Sequence, residues 1–290
     1  MLDPLEIYEQ IVMETLGPLT QFKSASLIAA GNHNQGVRLE TSKGPFFLKL
    51  NFDHERDILE KEALGLKKLK KSTFLKVPET FGFGRIEDYN YLVSEFIPSS
   101  RQHLEYWEDL GMGLAHLHLN SNNHFGLDSD NYIASLVQKN HYFDNWLDFF
   151  IEQRLEPMLG KAYFDRLIPL DFLKKFQSIY PKLESLFPKE NPALLHGDLW
   201  SGNVICDQEG KPCLIDPAIY YGHREMDLAF SRLFGGFDSR FYEAYESILP
   251  LEPGFEARMG VYNLYPLLVH LNLFGTAYLP GIEKILKRFN

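Results

Sequence analysis

The stretch LLHGDLWSGNVI at residues 194–205 places His196, Gly197, Asp198, Trp200 and Asn203 within eight residues, flanked by apolar Leu194, Leu195, Val204 and Ile205. Asp198 and Asn203 are five apart, and Asp216 follows Asn203 by thirteen. A carboxylate, an amide and a second carboxylate in that order meet the needs of phosphoryl transfer from a nucleotide. One carboxylate accepts the proton of an attacking hydroxyl; the amide oxygen and the other carboxylate hold Mg²⁺ on the phosphates. Asp198 is thus the candidate base, and Asn203 and Asp216 are the candidate metal ligands. CDQEGKPCLIDP, which joins them, reads as a hairpin turning near Glu209 and Gly210. It would bring Asp216 back beside Asn203 from an adjacent strand end. Alone, His-Gly-Asp is a common turn and Asp-Pro a common strand end; the chemistry rests on both occurring in this order around a hairpin.

Such a loop needs elements to carry it. Residues 1–20 show the apolar spacing of an amphipathic helix. Residues 24–50 read as two or three short strands, and 53–71 as a helix capped by Asp53, with Ile58, Leu59, Ala63, Leu66 and Leu69 on one face. VPETFGFGRIEDYNYLVSEFI gives two further strands. From about residue 101 the spacing turns helical, interrupted by the 194–216 segment. The change of period at FIPSSRQ, residues 96–102, suggests a strand-rich region over 1–97 and a helical one over 98–290.

Composition bounds the partners. Of 290 residues, 45% are hydrophobic and 23% charged, ordinary values for a globular chain. The net charge of −10 argues against nucleic acid or an anionic membrane as partner, since both need a basic face. Cys206 and Cys213 are the only cysteines, so a disulfide framework is not expected and a reducing, cytoplasmic setting is. The N-terminal helix carries acids rather than a basic leader and does not read as a signal peptide. No apolar run suffices to span a bilayer.

HGDLWSGN followed by IDPA resembles the catalytic loop and metal-binding Asp of the kinase-like phosphotransferases. The run Asp216-Pro217-Ala218, Tyr221-Gly222, Arg224-Glu225 and Asp227, together with Trp200, narrows the resemblance to the fructosamine kinase (ketosamine 3-kinase) family. Softer matches extend it over nearly the whole chain: Phe125-Gly126, Asn131, Gln138, Asn140, Trp146, Phe149, Arg154-Leu155, and His270, Asn272 and Phe274-Gly275. A second histidine found in some members is replaced here by Leu273. The resemblance implies an α+β, bilobal protein-kinase-like fold with a β-rich N-lobe and a mainly helical C-lobe. It implies ATP and Mg²⁺ as cofactors and phosphorylation of the 3-hydroxyl of a fructosamine or ribulosamine, free or protein-bound, in deglycation.

It also assigns roles. Lys49 in FFLKL would neutralise the α/β-phosphates, with Glu62 fixing it and Glu55 in reserve. Read by itself, Lys49 is a strand lysine snorkelling to water and Glu62 a solvated helical acid. Gly31 and Gly36 in AAGNHNQGVRL would cover the phosphates, although a plain hairpin turn explains them equally; Asn32, His33 and Asn34 stand where some members carry a cysteine. Cys206 and Cys213 read as packing residues rather than a redox pair. The backbones of Glu95 and Ile97, after Ser94, would face adenine. Trp200 would stack on the sugar, and His270 and Glu225 are candidates for the sugar-amine pocket. His196 and Asp227 would support the loop; for Asp227, an acid at a helix N-terminus is the plainer alternative. Other outcomes are a kinase of a small amino-alcohol or aminoglycoside, against which Trp200 and DPAxxYG speak, and a nucleotide-binding pseudokinase, against which Lys49, Asp198, Asn203 and Asp216 speak. The oligomeric state has no sequence signature.

Overall fold

A computed structural model describes residues 3–30, 34–52 and 57–289. The chain divides into two compact units: residues 1–106 with 204–216, and residues 107–203 with 217–290. The first unit thus takes in the 204–216 hairpin, which the sequence places with the helical region.

In the first unit, α1 (Pro4–Leu16) begins with a capping box in which Asp3 accepts the Leu5 and Glu6 N–H groups and Glu6 reaches back to the Asp3 N–H. Five antiparallel strands follow: β1 (Phe22–Ala30), β2 (Asn34–Thr41), β3 (Gly44–Asn51), β4 (Thr80–Ile86) and β5 (Tyr89–Glu95), in the order β1-β2-β3-β5-β4. Period-two alternation sends Val37, Leu39, Phe46, Leu48, Leu50 and Val93 to one face, where Ile7, Ile11, Val12 and Leu16 of α1 cover them. Phe47 and Lys49 therefore point to the other face. Helix α2 (Ile58–Ser72) follows β3; its N-cap is Asp57, without a side-chain capping bond, while Asp53 lies outside the described residues. The hairpin of β9 (Val204–Cys206) and β10 (Pro212–Leu214) is tied to this unit by a parallel bridge from Lys76 to Cys213 and by Ser100 Oγ donating to the Asp207 carbonyl at 2.6 Å. Both cysteines are free thiols, and burial pushes Cys213 up to about 12, as suits a packing residue.

Helix α3 (Tyr106–His118) leads into the second unit, which is mostly helical. It holds two short antiparallel pairs, β6 (Asn131–Ile133) with β7 (Leu136–Gln138), and β8 (Ala193–Leu195) with β11 (Tyr220–Gly222). Pairing β8 with β11 sets the segment after Leu195 beside the segment before Tyr220. No helix among the described residues is long and apolar enough to cross a membrane.

An aromatic box fills part of this unit. His223 stacks on Trp146 at 4.5 Å between ring centroids and 11° between planes, and its Nδ1 lies 3.0 Å from the Tyr262 hydroxyl. Burial, then the charges of Arg258 and Arg224, pushes His223 down from its ordinary 6.5 to about 3. As pH falls through 6.5 the unfolded chain takes up a proton at His223, and the folded chain does not until about pH 3. This contribution is full above pH 6.5 and is lost on acidification. Between pH 6.5 and 5 it should cost about 1.6 kcal/mol, since the limiting slope of 1.36 kcal/mol per pH unit is reached only below 6.5. Denaturant unfolding of His223→Phe should show that much less pH dependence over the interval. Identical pH dependence in both proteins would mean that the buried imidazole is not held neutral.

Candidate active site

In the first unit, Lys49 on β3 projects from the face opposite the α1 core. Its Nζ lies 2.8 Å from Glu62 Oε2 on α2 and 3.0 Å from Asp216 Oδ1 beyond β10. The Lys49 and Glu62 side chains are 13% and 12% exposed and Asp216 is 46% exposed, so the third group opens to solvent while the first two do not. Burial pulls the Lys49 ammonium down, but Asp216 and Glu62 more than offset this and hold it above its ordinary value. Burial pushes Glu62 up; Lys49 opposes that and the Asp216 charge adds to it. Asp216 has φ 51°, a left-handed backbone that a non-glycine residue adopts at some cost.

These groups edge a cavity of about 340 Å³ walled by apolar side chains including Ile28, Leu66, Leu92, Ile205 and Ile215, and by Glu95, Phe96 and Ile97. Its size and lining suit a flat heterocycle. The Glu95 N–H is committed to the Glu79 carbonyl at 2.8 Å, so of its backbone only the carbonyl is left to meet a base. Gly36 pairs directly with Lys49 across β2 and β3, on the same face. A Cβ there would come within 3.1 Å of the Phe47 ring. Gly36 thus leaves room beside Lys49 from within a strand. Gly31, Asn32, His33 and Glu55 lie outside the described residues.

In the second unit, the catalytic-loop candidate is held from below. The buried Asp227 carboxylate accepts the His196 N–H at 2.7 Å and the Gly197 N–H at 2.9 Å. His118 Nε2 stands 3.2 Å from the same carboxylate, and His118 Nδ1 lies 2.8 Å from the Tyr245 hydroxyl. His196 is fully buried; its Nδ1 accepts the Asp198 N–H and its carbonyl accepts the Ala218 N–H at 2.9 Å. Gly197 has φ 82°, and a Cβ there would fall 2.0 Å from the Ala218 carbonyl oxygen. Only glycine allows that approach. Asn203 gives its amide N–H groups to the Asp198 carbonyl and to Asp198 Oδ2, both at 2.8 Å. Asn203 Oδ1 thereby remains as an acceptor for a cation. Val204 pairs with Leu214, so Asn203 enters and Ile215 leaves the β9–β10 ribbon at the same end.

Trp200 is 37% exposed, and its indole lies over Gly202, where a Cβ would meet ring atoms at 2.3 Å. Gly202 belongs to the HGDLWSGN run, but its use shows only where the indole folds back over it. Phe234 meets Trp200 edge-on at 6.4 Å and lies 4.7 Å from His270. His270 Nδ1 donates to the Pro266 carbonyl at 2.8 Å, and burial lowers its pKa despite that bond. The ring is therefore neutral near pH 7, with Nε2 as an acceptor.

The fructosamine kinase family model matches residues 5–290. The chain belongs to the fructosamine kinase family. It is 40% identical over 264 residues to a protein of Enterococcus faecium named a probable ketoamine kinase, covering 90% of this chain and 94% of that one. It is 35% identical to the chloroplastic protein-ribulosamine 3-kinase of Arabidopsis thaliana over 91% of this chain and 82% of the relative. A Thermobifida fusca crystal structure assigned to a fructosamine-3-kinase superposes with a TM-score of 0.87 at 32% identity, over 96% of each chain. The fructosamine kinases are phosphotransferases, and the α+β, kinase-like architecture expected from the sequence is the one observed.

One expectation drawn from the fructosamine kinase resemblance needs correction. Glu225 is not open to a sugar amine. Its carboxylate is fully buried and gripped by Arg258, at 2.5 Å to Nη2 and 2.8 Å to Nε. An ion pair out of water is retained only when its bonds are complete, and here both carboxylate oxygens are taken. Sequence alone could not show this, because the partner lies thirty-three residues away. Glu225→Gln should therefore destabilise the fold by about 3–5 kcal/mol, the usual cost of stranding one member of a buried pair. The folded fraction should keep its KM for the acceptor. A raised acceptor KM with unchanged stability would restore Glu225 to the acceptor pocket.

Proposed function

We propose that this chain transfers the terminal phosphoryl group of ATP to the 3-hydroxyl of a ketosamine, a fructosamine or ribulosamine. The observation that carries this is the Lys49–Glu62–Asp216 cluster at the edge of an apolar cavity, in a chain whose relatives are named for ketoamine and ribulosamine phosphorylation. The cavity would take adenine, with the Glu95 carbonyl and Ile97 backbone at its edge. Lys49, steadied by Glu62, would neutralise the α/β-phosphates.

Asp216 and Asn203 Oδ1 would hold Mg²⁺. A hard cation prefers such oxygen donors, and phosphate oxygens and water can complete its shell. When bound, the ion withdraws charge from the transferring phosphate. Asp198 would take the proton from the acceptor hydroxyl as the new O–P bond forms and the bond to ADP breaks, the electron pair leaving on ADP. Asn203, donating to Asp198 Oδ2, would fix which carboxylate oxygen faces the hydroxyl. Trp200 would stack on the sugar, and His270 Nε2 would accept a hydrogen bond from it. The acceptor 3-phosphate would then break down and release the amine, which makes the role deglycation.

Asp198→Asn keeps size and removes proton acceptance. Its kcat for a fructosamine should fall ~10²–10⁴-fold, the usual range for a general base, with ATP affinity retained. Near-normal turnover would remove Asp198 from the mechanism. The acceptor is tested by identifying the phosphorylated product across fructosamines, ribulosamines and aminoglycosides. Phosphate on the sugar 3-oxygen of a ketosamine is expected, and turnover confined to aminoglycosides would overturn the assignment.

A further inference from the structure

Beyond Trp200 the second unit carries a run of rings that the proposed chemistry leaves unused. Phe234 closes the helix Glu225–Leu233 and bridges Trp200 to His270. One turn past His270 on the helix Leu264–Phe274, Phe274 lies 5.5 Å from the imidazole. Gly275 then ends the helix, and the turn Thr276–Tyr278 folds Tyr278 back to 5.1 Å from His270 and 6.2 Å from Phe274. Phe234 is 38% exposed and Phe274 is 64% exposed. Phe234 and Phe274 have no group that can ionise. Exposed rings grouped in this way mark a binding surface where scattered ones do not, and the chemistry of the proposed acceptor names an occupant.

In a ketosamine only C3, C2 and C1 separate the reacting oxygen from the amine nitrogen. With the sugar on Trp200, whatever the nitrogen carries would begin within a few bonds of the indole, and the next ring is Phe234, 6.4 Å away between centroids. We propose that Phe234, Phe274 and Tyr278 form a tier around His270 that binds the nitrogen substituent of the acceptor and selects apolar, above all aromatic, amines. This rests on the ketosamine kinase reading given above. A carboxylate on the substituent would find no counter-charge among these rings and would gain nothing from lying against them. An aromatic substituent gains edge and face contacts.

The test compares the fructosamines of benzylamine and of methylamine on the same enzyme preparation, so that any misfolded fraction cancels in the ratio. Wild type should favour the benzylamine adduct in kcat/KM, and Phe274→Ala should lower that preference about tenfold, the size of one lost aromatic contact plus its buried area. Phe274→Tyr, which keeps the ring, should retain the preference. Tyr278→Ala reads the same ratio should Phe274→Ala prove inactive. Turnover of both fructosamines with a ratio untouched by these changes overturns the tier and leaves the kinase reading standing. The same result with loss of a dimer in sedimentation would make the tier a contact between copies. No turnover of either fructosamine overturns the kinase reading, and the tier with it.

Discussion

Two carboxylates share one ammonium at Lys49. The arrangement joins three elements of the first unit: β3 supplies the lysine, α2 supplies Glu62, and the end of the β9–β10 hairpin supplies Asp216. Ion pairs taken out of water add little to stability, because desolvation offsets attraction. Their value here is geometric. Period-two alternation turns Lys49 away from the α1 core, and Glu62 holds it extended. Asp216 is the solvent-open member of an over-supplied pair, and the excess negative charge is what a divalent cation would relieve.

The second unit solves a different problem, that of holding a polar loop still among buried groups. Asp227 satisfies two adjacent backbone N–H groups, and His118 satisfies Asp227 in turn. Just before β11, Gln138 donates to the Ala218 carbonyl and Asn131 to the Ile219 carbonyl. Asn140 donates to Asn131, and the buried Arg154 donates to Asn140 and sits 3.9 Å over the Tyr220 ring. Each group is oriented by the next, so a loop on which chemistry would depend inherits the rigidity of a core. Unpaired polar groups at these positions would each cost about 1–3 kcal/mol, which explains why so many amides and one cation are spent on a few residues of backbone.

Sequence made the loop legible because its chemistry is contiguous: His196 to Asn203 lie within one turn and its approach, and the hairpin to Asp216 is marked by its own Glu-Gly. Strands β1 to β5 were readable from alternation, and α1 from its spacing. What stayed hidden depends on pairings distant along the chain. The partner that buries Glu225 is Arg258, the ring that flattens His223 is Trp146, and the bridge that draws the 204–216 hairpin to the first unit starts at Lys76. Phe234, Phe274 and Tyr278 look like ordinary apolar positions until the fold ranges them around His270. Gly36 was visible as a glycine, but its place opposite Lys49 comes from strand register.

The shared ammonium is tested most directly by titrating ATP into wild type and Asp216→Asn, each with and without Mg²⁺, by calorimetry. The amide keeps the hydrogen-bonding shape and removes one of the two charges on Lys49. Wild type should bind ATP more tightly with Mg²⁺ than without, and Asp216→Asn should lose that gain by on the order of 10–100-fold, the worth of one charge-assisted contact, with its melting temperature near wild type. A full Mg²⁺-dependent gain in Asp216→Asn would contradict the account and leave Asp216 as a partner of Lys49 alone.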